Sequence, residues 1–260
     1  MTRPATRIAA ILPARMGSSR FPGKPLLEFR GLPMIEHVRR RVVMAGVFSD
    51  VVVATCDELI AQAVNRYGGH VIMTAATHEA ATDRVAEAMG HLDCTHVVNV
   101  QGDEILILPD DLRNLASAIT ASPDVEAWNA IAPIEAAGEL DDRSIVKCVV
   151  SLSNRVLFCA RDFSKLASRR DGFDPVYRIL GILAFSRAFL GRYSTLSRTP
   201  IETAESIDQS RIVEHGIDLR GVRFSRGYPG INEPREVTLV EEFLRDDERQ
   251  RRVLVEILST

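Results

Sequence analysis

The sequence predicts an α/β protein, a doubly wound sheet with a small antiparallel lobe inserted in it. Three observations point there. Val51-Val52-Val53-Ala54-Thr55 is a continuous β-branched run, the pattern of a strand buried on both faces of a parallel sheet, and His96-Val97-Val98-Asn99-Val100 reads as another buried strand. Helical patterns of about ten residues or more separate such runs, which implies right-handed strand–helix–strand crossovers. In the second half, Val146 to Leu152 and Val156 to Ala160 flank Ser153-Asn154, the layout of a hairpin.

Taken in order, Ile8 to Leu12 is a short apolar strand that runs into a Gly/Ser loop. After the strand at 51–55, Asp57 can cap a helix through Ala63 to Tyr67, which Gly68-Gly69 ends. His70 to Thr74 reads as the next strand and Asp83 to His91 as the next helix. The strand at 96–100 stops at Gln101-Gly102-Asp103-Glu104, and Pro109-Asp110-Asp111 opens a further helix. Beyond the hairpin, Arg161 to Asp174 is a charged loop, Tyr177 to Phe185 a strand, and Ile201 to His215 a helix entered through Thr199-Pro200. Pro234 to Leu258 is a charged helix interrupted near Asp246-Asp247. No repeat, low-complexity tract or Gly/Ser linker divides the 260 residues, so 1–260 reads as a single domain.

Composition narrows the class. The chain is 46% hydrophobic and 26% charged, with a formal net charge of −3. Proteins that bind a nucleic-acid backbone usually carry a strong basic excess, so nucleic acid is not the expected partner. No apolar run reaches the ~20 residues needed to span a bilayer, and residues 1–7 lack the apolar stretch of a signal peptide. The expectation is a cytoplasmic protein without a membrane partner. Cys56, Cys94, Cys148 and Cys159 lie in or beside apolar runs without C-x-x-C spacing, as small buried thiols rather than zinc ligands or disulfides. The six histidines show no metal-binding spacing.

Chemistry concentrates at strand ends, where an open α/β sheet binds its ligands. The segment from Leu12 to Leu26 carries Arg15, Gly17, Ser18, Ser19, Arg20, Gly23 and Lys24. Three cations on a Gly/Ser loop suit a nucleoside triphosphate: small residues let amide groups approach phosphate oxygens, and the cations neutralise charge on a departing group. It is not a Walker A loop, because five residues separate Gly17 from Gly23 and Pro25 follows the lysine. In Gln101-Gly102-Asp103-Glu104 a carboxylate after a buried strand can hold Mg²⁺ facing those phosphates. His78 to Arg84 forms a third polar cluster.

These residues carry a resemblance. Pro13-Ala14-Arg15, Ser19-Arg20, Pro22-Gly23-Lys24-Pro25-Leu26, Gly31-x-Pro33-Met34-Ile35, Met73-Thr74, His78, Thr82-Asp83-Arg84 and Val98 to Glu104 resemble the motifs of bacterial 3-deoxy-manno-octulosonate (KDO) cytidylyltransferases. The likeness is dense from residue 8 to about 115 and thinner through Val146-Lys147, Leu157 to Arg161, Arg178-x-Leu180-Gly181, Pro200-Ile201-Glu202, Asp208-Gln209-x-Arg211 and Gly230-Ile231-x-x-Pro234. It implies a three-layer mixed sheet of the nucleotide-diphospho-sugar transferase (GT-A-like) type and a homodimer. It also implies a nucleotide-binding half at about 8–135 and a sugar-binding and dimerisation region at about 145–230. Arg15, Ser19, Arg20 and Lys24 would hold the CTP phosphates, Ala14 and Thr82-Asp83 would lie near the cytidine, and Gly17, Ser18 and Arg84 complete the nucleotide set. Asp103 and the position of Asn232 would bind Mg²⁺. Gln101, Arg161, Arg178, Glu202 and Gln209 would face the acidic sugar. The catalytic residues implied are Arg15, Lys24 and Asp103.

The chain also departs from the pattern. Ala80-Ala81 stands for Ser-Gly, where losing the glycine is expected to restrict the backbone. Ile105 stands for proline, Ile179 for histidine, and Asn232 for the second metal aspartate. The Pro-Ile-Pro segment expected soon after Arg161 is missing. The implied reaction is Mg²⁺-dependent transfer of CMP from CTP to the anomeric hydroxyl of a 3-deoxy-2-ulosonic acid. Two alternatives stay open. One is the same transfer to another nulosonate, such as an 8-amino-KDO, a legionaminate or a sialic acid; the other is a CTP-binding homologue without catalysis.

Overall fold

The strands predicted at 51–55 and 96–100 are largely buried, the second at every position. The computed structural model describes residues 5–17, 20–78, 80–166 and 176–259. They form two compact units, Met1–Ala116 with Tyr228–Thr260, and Ser117–Gly227.

In the first unit β1 (Ile8–Ala14) is buried at every position. A short ribbon follows, β2 (Glu28–Phe29) and β3 (Leu32–Pro33), whose turn residues Arg30 and Gly31 both have positive φ, as a tight hairpin turn requires. Then come α1 (Met34–Met44), β4 (Asp50–Thr55), α2 (Glu58–Arg66), β5 (His70–Met73), α3 (Ala81–Met89), β6 (His96–Val100) and α4 (Pro109–Ala121), whose end crosses into the second unit. Strand order is β6-β1-β4-β5, all parallel. The register puts Ala14 opposite Thr55 and Thr55 opposite Met73, with Ile11 opposite Asn99. The loops after β1, β4, β5 and β6 therefore leave from one edge of the sheet, the edge where such sheets bind ligands.

The second unit holds β7 (Ala127–Pro133), β8 (Lys147–Val150), β9 (Val156–Ala160), β10 (Val176–Ser186), α5 (Arg187–Tyr193), α6 (Pro200–Glu205), α7 (Asp208–Glu214) and β11 (Leu219–Arg223). β10 pairs antiparallel with both β7 and β8, β9 pairs antiparallel with β8, and β11 lies parallel to β7. The predicted hairpin is β8–β9, with Asn154 at φ 61° in its turn, a conformation asparagine tolerates better than most residues.

The chain returns to the first unit for α8 (Glu236–Asp246) and α9 (Glu248–Leu258). Their break falls at Asp247, near the predicted interruption; one carboxylate oxygen caps α9 through Gln250 N at 3.0 Å and the other accepts from Tyr228 Oη at 3.0 Å. Gln250 and the wholly buried Arg41 of α1 bond each other at 2.8 Å and reach Leu106 O and Ile107 O, which docks α9 onto the body of the unit.

Several expectations change. Residues 201–215 form two helices rather than one, because Ser206 adopts a left-handed conformation (φ 53°) and ends α6. The helix expected at 83–91 starts earlier, so Thr82-Asp83 sits in the first turn of α3. The sequence reading places no element at β2, β3, α1, β7, α5 or β11. Asp57 stands at the N-cap of α2 but its side chain does not cap it. Cys94, Cys148 and Cys159 are buried, and burial pushes the Cys159 thiol up to about 12. No helix among the described residues is long and apolar enough to cross a membrane.

Candidate active site

The loop leaving β1 is closed at its base. Met16 N donates to Asp57 Oδ2 at 2.8 Å, and Met16 O accepts from Gly23 N at 3.0 Å. Gly23 closes it in the left-handed region, at φ 78°. A Cβ there would meet Met16 Cε at an ordinary 3.7 Å, so strain rather than collision opposes a side chain. Gly23→Ala is expected to cost about 1–2 kcal/mol, the penalty of that conformation for an L-residue, seen as a lower urea midpoint with unchanged slope.

Just past Gly23, Lys24 Nζ reaches Asp103 Oδ2 at 2.6 Å and Ile231 O at 2.7 Å. Both side chains of the pair are largely buried. Arg20 Nη2 donates to Asn232 Oδ1 at 3.2 Å. Gly230 lets the backbone of 230–232 run against Asp103, since a Cβ would sit 3.0 Å from Asp103 O, and Ile231 N donates to that same oxygen at 3.2 Å. Arg20 and Lys24 of one loop thus meet Asp103 and Asn232, both distant in sequence, in one cluster. Ser18 and Ser19 lie outside the described residues. The oxygens gathered here are one carboxylate, one amide carbonyl and one main-chain carbonyl. Among the described residues no group of three or more His, Cys, Asp or Glu could enclose a metal. That donor set fits Mg²⁺, which binds through one or two carboxylates when phosphates and water supply the rest.

A second part of this edge is a small cavity of about 100 Å³ lined by Pro13, Ala14, Arg15, His78, Ala80, Ala81 and Arg84. The buried Arg84 bonds Thr74 Oγ1 and, at 3.4 Å, Ala75 O. Glu87 accepts from Ala75 N at 3.0 Å and pairs with His78. The bond from His78 holds the Glu87 carboxyl below the usual carboxylate range. Arg84 therefore lines the cavity itself and holds Thr74 and Ala75, which lead to His78 on the same wall. Ala80 has φ −93° and Ala81 is helical, so neither position needs glycine's freedom, against the expected restriction. Thr82 is buried and Asp83 half-buried. Gln101 is half-buried at this edge and Gly17 exposed.

The remaining implied site residues lie in the second unit, each held by its own neighbours. Arg161 donates to Glu205 O and Arg143 O, both at 2.8 Å, and to Ser206 O at 3.2 Å. Three of its five N–H donors are thus engaged by main chain. Arg178 bonds Gly227 O at 2.9 Å and lies 3.7 Å from Glu139. Glu202 is buried against Arg211, with Nε at 2.9 Å, and accepts from Thr199 N at 3.2 Å as part of the α6 capping box. Gln209 bonds Asn129 Oδ1 at 2.9 Å. Sequence reasoning missed Asp57 in its bond to the loop, the Ile231 carbonyl and Asn129. The first had a signal, a carboxylate at a strand end; a main-chain carbonyl has none.

Comparison with known proteins shows the family. The Cytidylyltransferase family model matches residues 9–219. A 3-deoxy-manno-octulosonate cytidylyltransferase of Geobacter metallireducens is 36% identical over 250 residues, covering 92% of this chain and 98% of the relative. One from Escherichia coli is 36% identical over 230 residues, covering 88% and 92%. The solved structure of a CMP:2-keto-3-deoxy-manno-octonic acid synthetase complexed with CTP superposes with a TM-score of 0.86 at 33% identity, covering 93% of this chain and all of that one. The α/β fold is that of these nucleotidyltransferases, and the chain belongs to the 3-deoxy-manno-octulosonate cytidylyltransferase family.

Proposed function

We propose that the protein transfers CMP from CTP to the anomeric hydroxyl of a 3-deoxy-2-ulosonic acid, KDO or a relative, and releases pyrophosphate. The observation that carries this reading is the Arg20–Lys24–Asp103–Asn232 cluster at the carboxyl edge of the parallel sheet. Lys24 and Arg20, on the loop after β1, offset the charge that grows on the departing pyrophosphate. Arg15, on the wall of the neighbouring cavity, adds a third cation. Ala14 and the Thr82–Arg84 turn border the space for the cytidine. The hydroxyl attacks the α-phosphorus in line, and positioning with electrostatics supplies the acceleration without a protein nucleophile. Mg²⁺, held by Asp103 and the Asn232 carbonyl, would supply charge stabilisation at the phosphates. Arg161, Arg178, Glu202 and Gln209 would serve the sugar side; the two N–H groups of Arg161 beyond its three main-chain bonds suit a carboxylate. Leu152, Leu157 and Phe158, exposed on the β8–β9 hairpin, give the expected homodimer an apolar surface.

The test is pyrophosphate release from each of four nucleoside triphosphates, with and without Mg²⁺, against a panel of 3-deoxy-2-ulosonic acids. Release with CTP and one acid, dependent on Mg²⁺, is expected. CTP binding without release from any acid would instead favour the non-catalytic homologue, the reading that Asn232, a neutral ligand in place of a carboxylate, supports.

A further inference from the structure

We propose that Asp57 is a positioning residue for the triphosphate, acting through the closure of the loop after β1; this rests on the nucleotidyltransferase reading. Asp57 occupies the N-cap of α2, where an aspartate ordinarily accepts from the helix's own first amides. It does not do so. Its Oδ2 accepts instead from Met16 N at 2.8 Å, across 41 residues of sequence. Its own amide is held by Thr55 Oγ1 at 3.1 Å, and Cys56 Sγ lies 3.7 Å from the same Oδ2, so the carboxylate is fixed from its own side. The fold forgoes a local capping bond for one that ties two strand ends together.

The consequence passes through one peptide. Met16 N is bound by Asp57 and Met16 O by Gly23 N at 3.0 Å, so Met16 closes the 16–23 loop at both its polar groups. Lys24 follows directly, and its Nζ is placed at Asp103 and Ile231 O. The carboxylate therefore sets the base of the loop that carries Arg20 and Lys24, without entering the phosphate site.

Charge and anchoring predict opposite signs here, which makes the proposal sharp. A carboxylate next to a triphosphate loop repels the ligand, so on charge alone its removal tightens CTP binding. If it anchors the loop, removal weakens binding, by about tenfold, the scale of one hydrogen bond to a charged acceptor. The experiment compares wild type, Asp57→Ala and Asp57→Asn by calorimetry with CTP and with CMP, which lacks the β- and γ-phosphates. We expect Asp57→Ala to lose about tenfold for CTP and little for CMP. Asp57→Asn keeps an oxygen acceptor and sheds the charge, so it should bind CTP at least as well as wild type. Unchanged or tighter CTP binding by Asp57→Ala overturns the proposal, as does an equal loss for CTP and CMP. If the wild type binds no CTP, the nucleotidyltransferase reading fails first. The anchor is then judged by hydrogen exchange at the Met16 amide, expected to accelerate in Asp57→Ala and not in Asp57→Asn; unchanged exchange in Asp57→Ala overturns it.

Discussion

Replacing Asp103 by asparagine is expected to lower pyrophosphate release roughly 10²–10³-fold, the usual scale for one preorganised electrostatic group, while the fold stays intact. The substitution is isosteric, and the side chain keeps an oxygen for Lys24 Nζ, now 2.6 Å from the carboxylate. What it removes is charge, both the partner of Lys24 and the one carboxylate of the cluster. Lys24→Ala should show a loss of similar size, because Lys24 is placed at once by Asp103 and by Ile231 O. If the pair works as a unit, the double variant falls little below the worse single one, the non-additivity expected of groups in contact. Because the pair is largely buried, at 15% and 14% side-chain exposure, melting temperatures of the three variants are read alongside turnover, and Asp103→Asn, which keeps shape and an acceptor, should melt closest to wild type. Near-normal turnover in Asp103→Asn would take Asp103 out of the reacting centre and leave its bond to Lys24 as structure alone.

The cluster was legible in the sequence because of where its residues stand. Runs rich in valine, such as 51–55 and 96–100, read as buried strands, and the polar residues that follow them then emerge at sheet edges. That logic brings the Arg15–Lys24 loop and Asp103 to one edge. It does not reach side-chain allocation. Asp57 has two acceptable uses, the local cap and the amide of Met16, and only the register of β1 against β4, Ala14 beside Thr55, brings the second within reach. Ser206 looks like an ordinary helix residue, yet it turns left-handed between α6 and α7. β7 was hidden because Ala127-Trp128-Asn129-Ala130 mixes good helix formers with a buried polar residue, whose amide finds Leu180 O at 3.0 Å and whose carbonyl finds Gln209. β11 was hidden by its two arginines and a glycine. The charged residues of the second unit pose the same difficulty in another form. In sequence, an arginine for a sugar carboxylate and an arginine for three main-chain carbonyls are the same letter.

Glu202 is where those two uses can be separated. Its carboxylate faces Arg211 through both oxygens, lies 3.9 Å from Arg198, and accepts from Thr199 N; its side chain is 5% exposed. The bond from Arg211, above all, holds its pKa below the usual carboxylate range, against the opposing effect of burial. Glu202→Ala would leave Arg211 without this partner at 12% exposure, over the ring of Tyr193. Breaking a buried pair from one side costs about 3–5 kcal/mol, which for a chain of this size lowers Tm by roughly 6–20 °C. The pH dependence has a definite sign. A folded pKa below the unfolded one means that the ionised form stabilises the native state, fully so above the ordinary carboxylate range, with loss as pH falls through the lowered value. The stability gap between wild type and Glu202→Gln should therefore be constant from neutrality down to about pH 5.5, above the unfolded glutamate pKa, and shrink on further acidification. Thermal melts of wild type, Glu202→Ala and Glu202→Gln between pH 3 and 8 would read it. Should Glu202→Gln melt like wild type at every pH and raise only the KM of the sugar acid, the carboxylate belongs to the ligand rather than to the α6–α7 corner.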